Sequence, residues 1–166
     1  MTGFISLRPI CPEDEPFLRR VYTSTRQEEL AVVPWTAEQK EAFLRMQFDA
    51  QHRYYQEHYA SADFLLVLSN DVPIGRLYLD RWETEFRIID IALLPEHRGV
   101  GIGSRLLKDV LDEADRAGKA VSIHVEKFNP ALRLYERLGF LPVADTGVYL
   151  RMERPPIIVP LLAGHC

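Results

Sequence analysis

Residues 98–103 read R-G-V-G-I-G and stand between a short apolar run and a strongly amphipathic segment. Upstream, residues 87–94 (R-I-I-D-I-A-L-L) are β-branched and apolar and are stopped by Pro95, which predicts a buried strand. Downstream, Ile102, Leu106, Leu107, Val110, Leu111, Ala114 and Ala117 recur at steps of three and four, with Lys108, Asp109, Asp112, Glu113, Asp115 and Arg116 on the other face and Gly118 as a C-terminal stop. Residues 120–125 (A-V-S-I-H-V) predict a second short strand. Strand, glycine turn, helix and strand make a βαβ unit with parallel strands and a right-handed crossover. Glycines on such a turn permit positive φ and leave backbone N–H groups bare, at the positive end of the helix, for phosphate oxygens.

Two well-known phosphate sites do not fit these letters. A P-loop needs a lysine directly after its last glycine, and Gly103 leads instead into Ser104 and Arg105. A dinucleotide fingerprint has its third glycine where Ser104 stands, and the forty residues after Glu126 are too few for the further βαβ elements of that fold.

Residues 98–103 match [QR]-x-x-G-x-[GA], and L-L-P-E-H-R-G-V-G-I-G-S-R-L-L around them resembles the coenzyme motif of the GNAT superfamily of acetyl-CoA-dependent N-acetyltransferases. N-P-A-L-R-L-Y-E-R-L-G-F (residues 129–140) resembles that family's second hallmark, and L-R-P-I-C-P-E-D (residues 7–14) its usual N-terminal entry. The two hallmarks span residues 88–140; the first eighty residues match mainly in layout. The resemblance implies an α/β (α+β) fold. It would be one domain over residues 1–154, with a mixed, mostly antiparallel central sheet, helices on both faces and the βαβ unit at the coenzyme site. It implies acetyl-CoA as acyl donor, with no metal. Arg98, Gly99, Val100, Gly101, Ile102, Gly103 and Ser104 would cradle the pyrophosphate, while Ile91, Ala92 and Leu93 would lie along the pantetheine arm. Asn129 would both cap its helix, which Pro130 starts, and touch the coenzyme, and Tyr135 would be the general acid. Packed with Ala131, Leu134 and Leu138, Tyr135 could equally complete a core face. Arg98 and Arg105 are candidates for pairing phosphates.

Acetyl transfer to an amine also requires that the ammonium lose a proton, directly or through water. Many relatives keep a glutamate eight residues before the proline that ends this strand, and here that position is Arg87. Asp90 is the first substitute, because a carboxylate within an apolar strand is costly without a purpose or a partner; the alternative is a buried salt bridge to Arg87 or Arg76. His124 titrates in the right range. Glu85 and Glu83 are weaker candidates for the base and read as solvated charges. Arg26, Glu28, Glu29, Trp35, Tyr54 and Tyr55 fall where the acceptor would enter, but a charged helix end and core aromatics explain the same letters.

The first part of the chain predicts a strand over residues 5–8 and a helix from residue 12 with Phe17, Leu18, Val21 and Tyr22 inward. Thr36 and Gln39 form a capping box for a long helix whose stripe is Phe43, Met46, Ala50 and Tyr54, adjoined by Phe48 and Tyr55. Residues 64–68 predict a strand, Asn70-Asp71 a turn, and residues 74–81 alternate like a half-exposed antiparallel strand. Residues 141–144 and 148–152 predict a closing hairpin.

The chain has 166 residues, with 20 Lys+Arg against 24 Asp+Glu and no basic block, which argues against nucleic acid as a partner. Cys11 and Cys166 lack metal or CxxC spacing. With neither a signal-like start nor a run of membrane-spanning length, the expectation is a cytoplasmic enzyme without a membrane partner. The tail, residues 155–166 (P-P-I-I-V-P-L-L-A-G-H-C), is apolar enough to pack on the domain or on a twin subunit, with a disordered end as the alternative, so a homodimer is considered.

The expected activity is N-acetyl transfer to a primary amine by direct attack in a ternary complex, on a small molecule. The alternatives are a protein N-terminus or lysine as acceptor, a longer acyl group, or a non-catalytic acyl-CoA-binding regulatory module.

Overall fold

The computed structural model describes residues 3–158. Seven strands form one mixed sheet, β1 (Ile5–Pro9), β2 (Asp63–Ser69), β3 (Val72–Arg81), β4 (Glu85–Leu93), β5 (Ala120–Glu126), β6 (Leu141–Asp145) and β7 (Tyr149–Arg154), in the order β1-β2-β3-β4-β5-β7-β6. The β1/β2, β2/β3, β5/β7 and β6/β7 pairs are antiparallel and β4/β5 is parallel. The predicted fold class is therefore observed. The chain divides into two compact units, Met1–Asp80 with Asp90–Gly103, and Arg81–Ile89 with Ser104–Cys166.

In the first unit a 3-10 turn, Pro12–Asp14, leads into α1 (Glu15–Ala31). Asp14 fastens this entry to β1. Its carboxylate accepts two bonds from the Arg8 guanidinium, at 2.8 and 2.9 Å, and one from the Cys11 N–H at 2.8 Å. Leu18, Val21 and Tyr22 are buried, as their spacing predicts, with Phe17 half-buried. The capping box opens α2 (Ala37–His58) reciprocally: the Gln39 N–H donates to Thr36 Oγ1 at 3.1 Å, and the Thr36 N–H donates to Gln39 Oε1 at 2.9 Å.

The inward face of α2 differs from the predicted stripe. Leu44 and Phe48 are buried, with Gln51, His52 and Tyr55 half-buried, while Met46, Ala50 and Tyr54 are exposed. Apolar residues occur on more than one side of this helix, and periodicity cannot say which side meets the sheet. The turn between β2 and β3 is left-handed at Asn70 (φ 48°) and Asp71 (φ 67°), two residue types that tolerate that region. β3 is also not the half-exposed strand that its alternation predicts. Every residue from 74 to 80 is buried, Arg76 and Asp80 included. Buried charges need partners, and both have them: Arg76 meets Asp90 and Gln51, and Asp80 accepts from the Ser61 hydroxyl at 2.9 Å.

In the second unit the parallel register runs from Glu85↔Ala120 to Ile88↔Ile123, joined through α3 (Ile102–Arg116). Ile102, Leu106, Leu107, Val110, Leu111 and Ala114 are buried, and Gly118 (φ 69°) turns the chain into β5. Ala117 lies past the helix end and is exposed. After α4 (Leu132–Arg137) the hairpin of β6 and β7 places β7 against β5. Arg154 on β7 pairs with Asp115 on α3, and the same carboxylate accepts the Ile157 N–H at 2.8 Å. That bond ties the start of the apolar tail to α3; residues 159–166, to which the packing expectation also extends, lie outside the described residues.

Candidate active site

The parallel register with β5 ends at Ile88. The residues of β4 that follow, Asp90 to Leu93, belong to the first unit, as do the turn Pro95–His97 and the glycine loop. Leu94 is buried and donates its N–H to the Ile74 carbonyl at 2.8 Å. Arg98 then clamps the loop. Its Nε donates to the Leu93 carbonyl at 2.8 Å and its Nη2 to the Ser24 hydroxyl of α1 at 3.2 Å. Two nitrogens of the guanidinium predicted to pair phosphates are thus used to hold the backbone of the loop.

Gly99 and Gly101 have φ of 75° and 90°, and a Cβ at either would meet nothing within 4 Å. Both facts bear on a ligand. The left-handed conformation requires glycine here, and the open space means that it is not packing that demands the missing side chain. Gly103 has ordinary φ and already lies in the first turn of α3, with Leu93 Cδ1 at 3.9 Å from a built Cβ. Val100 is exposed, Ile102 is buried and Ser104 is half-buried. The loop therefore offers backbone at the start of a fifteen-residue helix, where the unpaired N–H groups and the dipole favour an anion.

Directly before the predicted pantetheine strand, Asp90 is paired with Arg76. Of the two partners considered from sequence, Arg76 is the one that the structure brings to it. The Asp90 side chain keeps 21% of its surface, against 3% for Arg76. Arg76 also donates to Gln51 Oε1 at 2.9 Å and lies 5.0 Å from the Tyr78 ring centroid. Burial opposes the Arg76 charge, and the Asp90 carboxylate with Tyr78 and Tyr55 more than offsets it, leaving the guanidinium pKa raised. Arg76 Nε and Tyr78 Oη are buried without a hydrogen-bond partner among the described residues. Nothing local in the sequence marks Gln51 or Tyr78; only the burial of β3 against α2 brings them together.

Most of the residues noted for the acceptor side are engaged by neighbours within this unit. Arg26 lies over the Tyr22 ring at 5.4 Å and pairs with Glu29, Trp35 stands edge-on to Phe43 at 5.2 Å, Tyr54 stacks on His58 at 3.9 Å, and Tyr55 meets Tyr78 edge-on at 6.0 Å. Glu28 is exposed.

In the second unit Asn129 does not cap a helix that Pro130 starts. α4 begins at Leu132 with Ala131 at its N-cap. The Asn129 side chain instead accepts the Ala131 N–H at 2.8 Å and its carbonyl accepts the Leu132 N–H at 3.0 Å, an Asx turn that delays the helix by two residues. Tyr135 is buried, 4% exposed, and its ring meets Phe140 edge-on at 5.7 Å across the Gly139 turn.

The other base candidates belong to this unit. Glu85 is held by Arg151, at 3.0 and 3.1 Å, with Arg87 Nη2 at 3.9 Å, so it is not the solvated charge expected. Arg87 is buried, donates to the Ser122 hydroxyl at 2.8 Å and lies over the Trp82 ring at 5.0 Å. His124 is exposed; partial desolvation, then Arg87 and Arg151, hold its pKa below the usual histidine value. Glu83 is exposed, and Arg105 on α3 is exposed as well. Among the described residues no group of three His, Cys, Asp or Glu could hold a metal ion, and no helix is long and apolar enough to cross a membrane.

The family model described as "Acetyltransferase (GNAT) family" matches residues 24–140, well over half of the chain. The chain belongs to that family. Over 53 residues it is 43% identical to an L-methionine sulfoximine/L-methionine sulfone acetyltransferase of Salmonella typhimurium; this segment covers 31% of the present chain and 31% of that relative. Among solved structures it resembles the PaiA N-acetyltransferase of Thermoplasma acidophilum in complex with coenzyme A (TM-score 0.70, 20% identity, 92% of this chain and 99% of that one). It also resembles an acetyltransferase of Thermus thermophilus (TM-score 0.66, 22% identity, 93% of this chain and 99% of that one). The family expected from the glycine turn and the Asn129–Phe140 segment is thus confirmed.

Proposed function

We propose that this chain transfers the acetyl group of acetyl-CoA to the primary amine of a small molecule, both substrates being bound when the amine attacks the thioester. The observation that carries this reading is the pair of left-handed glycines, Gly99 and Gly101, open to solvent before α3 and clamped from behind by Arg98. Main-chain N–H groups of residues 99–104 hold the pyrophosphate. Ile91, Ala92 and Leu93 carry the pantetheine arm, and one N–H there stabilises the oxyanion. Asn129 makes a further contact with the coenzyme. The amine nitrogen bonds to the thioester carbon, its proton passes to Asp90 directly or through water, and the C–S bond breaks as Tyr135 protonates the leaving thiolate. The products are the acetamide and free coenzyme A.

Arg76 acts on this chemistry through Asp90, by fixing the carboxylate in one position. A small acceptor is supported by the 53-residue segment shared with an enzyme named for two amino-acid analogues. Amino acids and their analogues therefore head the panel of acceptors, followed by polyamines and peptides.

Calorimetry with acetyl-CoA and with coenzyme A tests the first half of the proposal, and Gly101→Val tests its location. Binding to the parent chain and a loss of at least tenfold in Gly101→Val are expected; no heat from either form of the coenzyme would end the reading. Turnover is followed as acetylated product and free coenzyme A by chromatography, because the exposed thiol of Cys11 would react with thiol reagents. Tight binding with no turnover on any amine would replace the enzyme by an acyl-CoA sensor.

A further inference from the structure

The solvent face of α2 carries two adjacent ridges, each of residues four apart. One reads Ala42, Met46, Ala50, small-large-small and symmetric about Met46, which is 59% exposed. The other reads Glu41, Arg45, Asp49, Arg53, so that its charges alternate in sign from turn to turn. All seven residues are exposed, and a groove of about 500 Å³ runs along the face between Ala42, Arg45, Met46, Asp49, Ala50 and Arg53. Neighbouring oppositely charged residues at this spacing often pair along their own helix. Here, among the described residues, none of the four charged side chains has a hydrogen bond or ion pair within the chain.

A row that reads minus, plus, minus, plus is complementary to itself when reversed. Two copies of α2 laid antiparallel about a two-fold axis put Arg45 opposite Asp49 of the second copy and Arg53 opposite its Glu41, each contact occurring twice. Parallel copies in register would face like charges instead. Ridges of residues four apart are also those that interdigitate in the commonest helix packing. A patch shared by both subunits of a two-fold dimer must be complementary to itself in this way. From these observations we infer that α2 is the homodimer interface of this protein, and that its occupant is α2 of a second copy. This inference is independent of the acetyl-transfer reading.

Analytical ultracentrifugation of the full chain, at low and high salt, reads the assembly. The parent chain is expected to dimerise, more weakly at high salt because exposed charges are screened. Asp49→Arg, at an exposed position, weakens the dimer at least tenfold while thermal unfolding of the monomer stays unchanged. The fully inverted variant, Glu41→Lys with Arg45→Glu, Asp49→Arg and Arg53→Glu, restores the alternation. It dimerises with itself and does not mix with the parent chain, whose row it now repels. A parent chain that stays monomeric, an Asp49→Arg dimer as tight as the parent, or mixed dimers between parent and inverted chains would each overturn the proposal.

Discussion

Arg76 on β3 is paired with Asp90 on β4 in surroundings that leave 3% of the arginine side chain exposed and 21% of the carboxylate. The pair can stabilise the fold, position a base, or do both, and the alternatives separate experimentally. Removing one member of a buried pair strands the other charge and costs about 3 kcal/mol. Asp90→Asn and Arg76→Met are each expected to lose about that much in denaturant unfolding, and to lose at least tenfold in turnover with little change in acetyl-CoA affinity. The double variant Arg76→Met/Asp90→Leu replaces both charges by apolar volume and recovers most of the stability. Its turnover stays low if Asp90 handles the proton. A double variant as active as the parent would leave the pair a purely structural role.

Gly75 holds the strand beneath this site. Its φ is ordinary, but a Cβ built there would lie 2.3 Å from the Ala92 carbonyl oxygen and 3.0 Å from Leu93 Cα, both backbone atoms that cannot rotate away. Gly75→Ala must push β3 from the end of β4, at a cost of about 3 kcal/mol for overpacking a closed core. Urea unfolding reads the loss, and calorimetry reads a weaker acetyl-CoA interaction as Ala92 and Leu93 move. A midpoint equal to that of the parent would show that the strands separate freely.

The parts of this molecule legible from sequence are those whose signal is local. The βαβ unit was plain because an apolar run, left-handed glycines and a helical stripe follow one another in sequence, and Gly99, Gly101 and Gly118 all adopt the positive φ their positions suggest. The misreadings share a cause. Arg76 and Asp80 made β3 look half solvated, whereas both are buried beside partners distant in sequence, Asp90 and Gln51 for one and Ser61 for the other. Met46 and Tyr54 read as core-facing from sequence because three faces of α2 carry apolar letters. The spacing of Asn129 before Pro130 reads as a helix cap, yet its side chain serves an Asx turn first. The alternation of charge along the outer face of α2 was legible throughout, but it has meaning only once that face is known to point away from the sheet.

The N-terminal entry makes stability depend on acid pH. The Arg8 guanidinium first, and then the Cys11 N–H, hold Asp14 well below its ordinary value of 3.8, against an opposing contribution from burial. In the folded chain the carboxyl therefore binds its proton less readily than in the unfolded chain. Its contribution is complete above the unfolded value and is lost as pH falls through the folded one. Arg8 is 41% exposed, so about 1–2 kcal/mol is expected from a charged hydrogen-bonded pair of this kind. Asp14→Asn should lose that amount near neutrality and converge with the parent chain in strong acid. Denaturant midpoints across the acid range, with both chains equally sensitive, would show that the pair contributes nothing.

Tyr135 offers the cleanest separation of chemistry from packing. Its ring is buried and stands edge-on to Phe140 at 5.7 Å, so Tyr135→Phe keeps the ring and removes the hydroxyl. If the hydroxyl protonates the departing thiolate, turnover falls by tens-fold or more, within the roughly 10²–10⁴ that a positioned general acid contributes. Acetyl-CoA affinity stays within a factor of about two, since a proton donated only as the C–S bond breaks is not felt in the ground state. A less basic leaving group supplies the second readout. A coenzyme analogue whose thiol is more acidic needs protonation less, so the gap between Tyr135→Phe and the parent chain narrows with it. A variant that unfolds at the parent's midpoint and turns over at the parent's rate, with either donor, would return Tyr135 to the core face formed with Leu134 and Leu138.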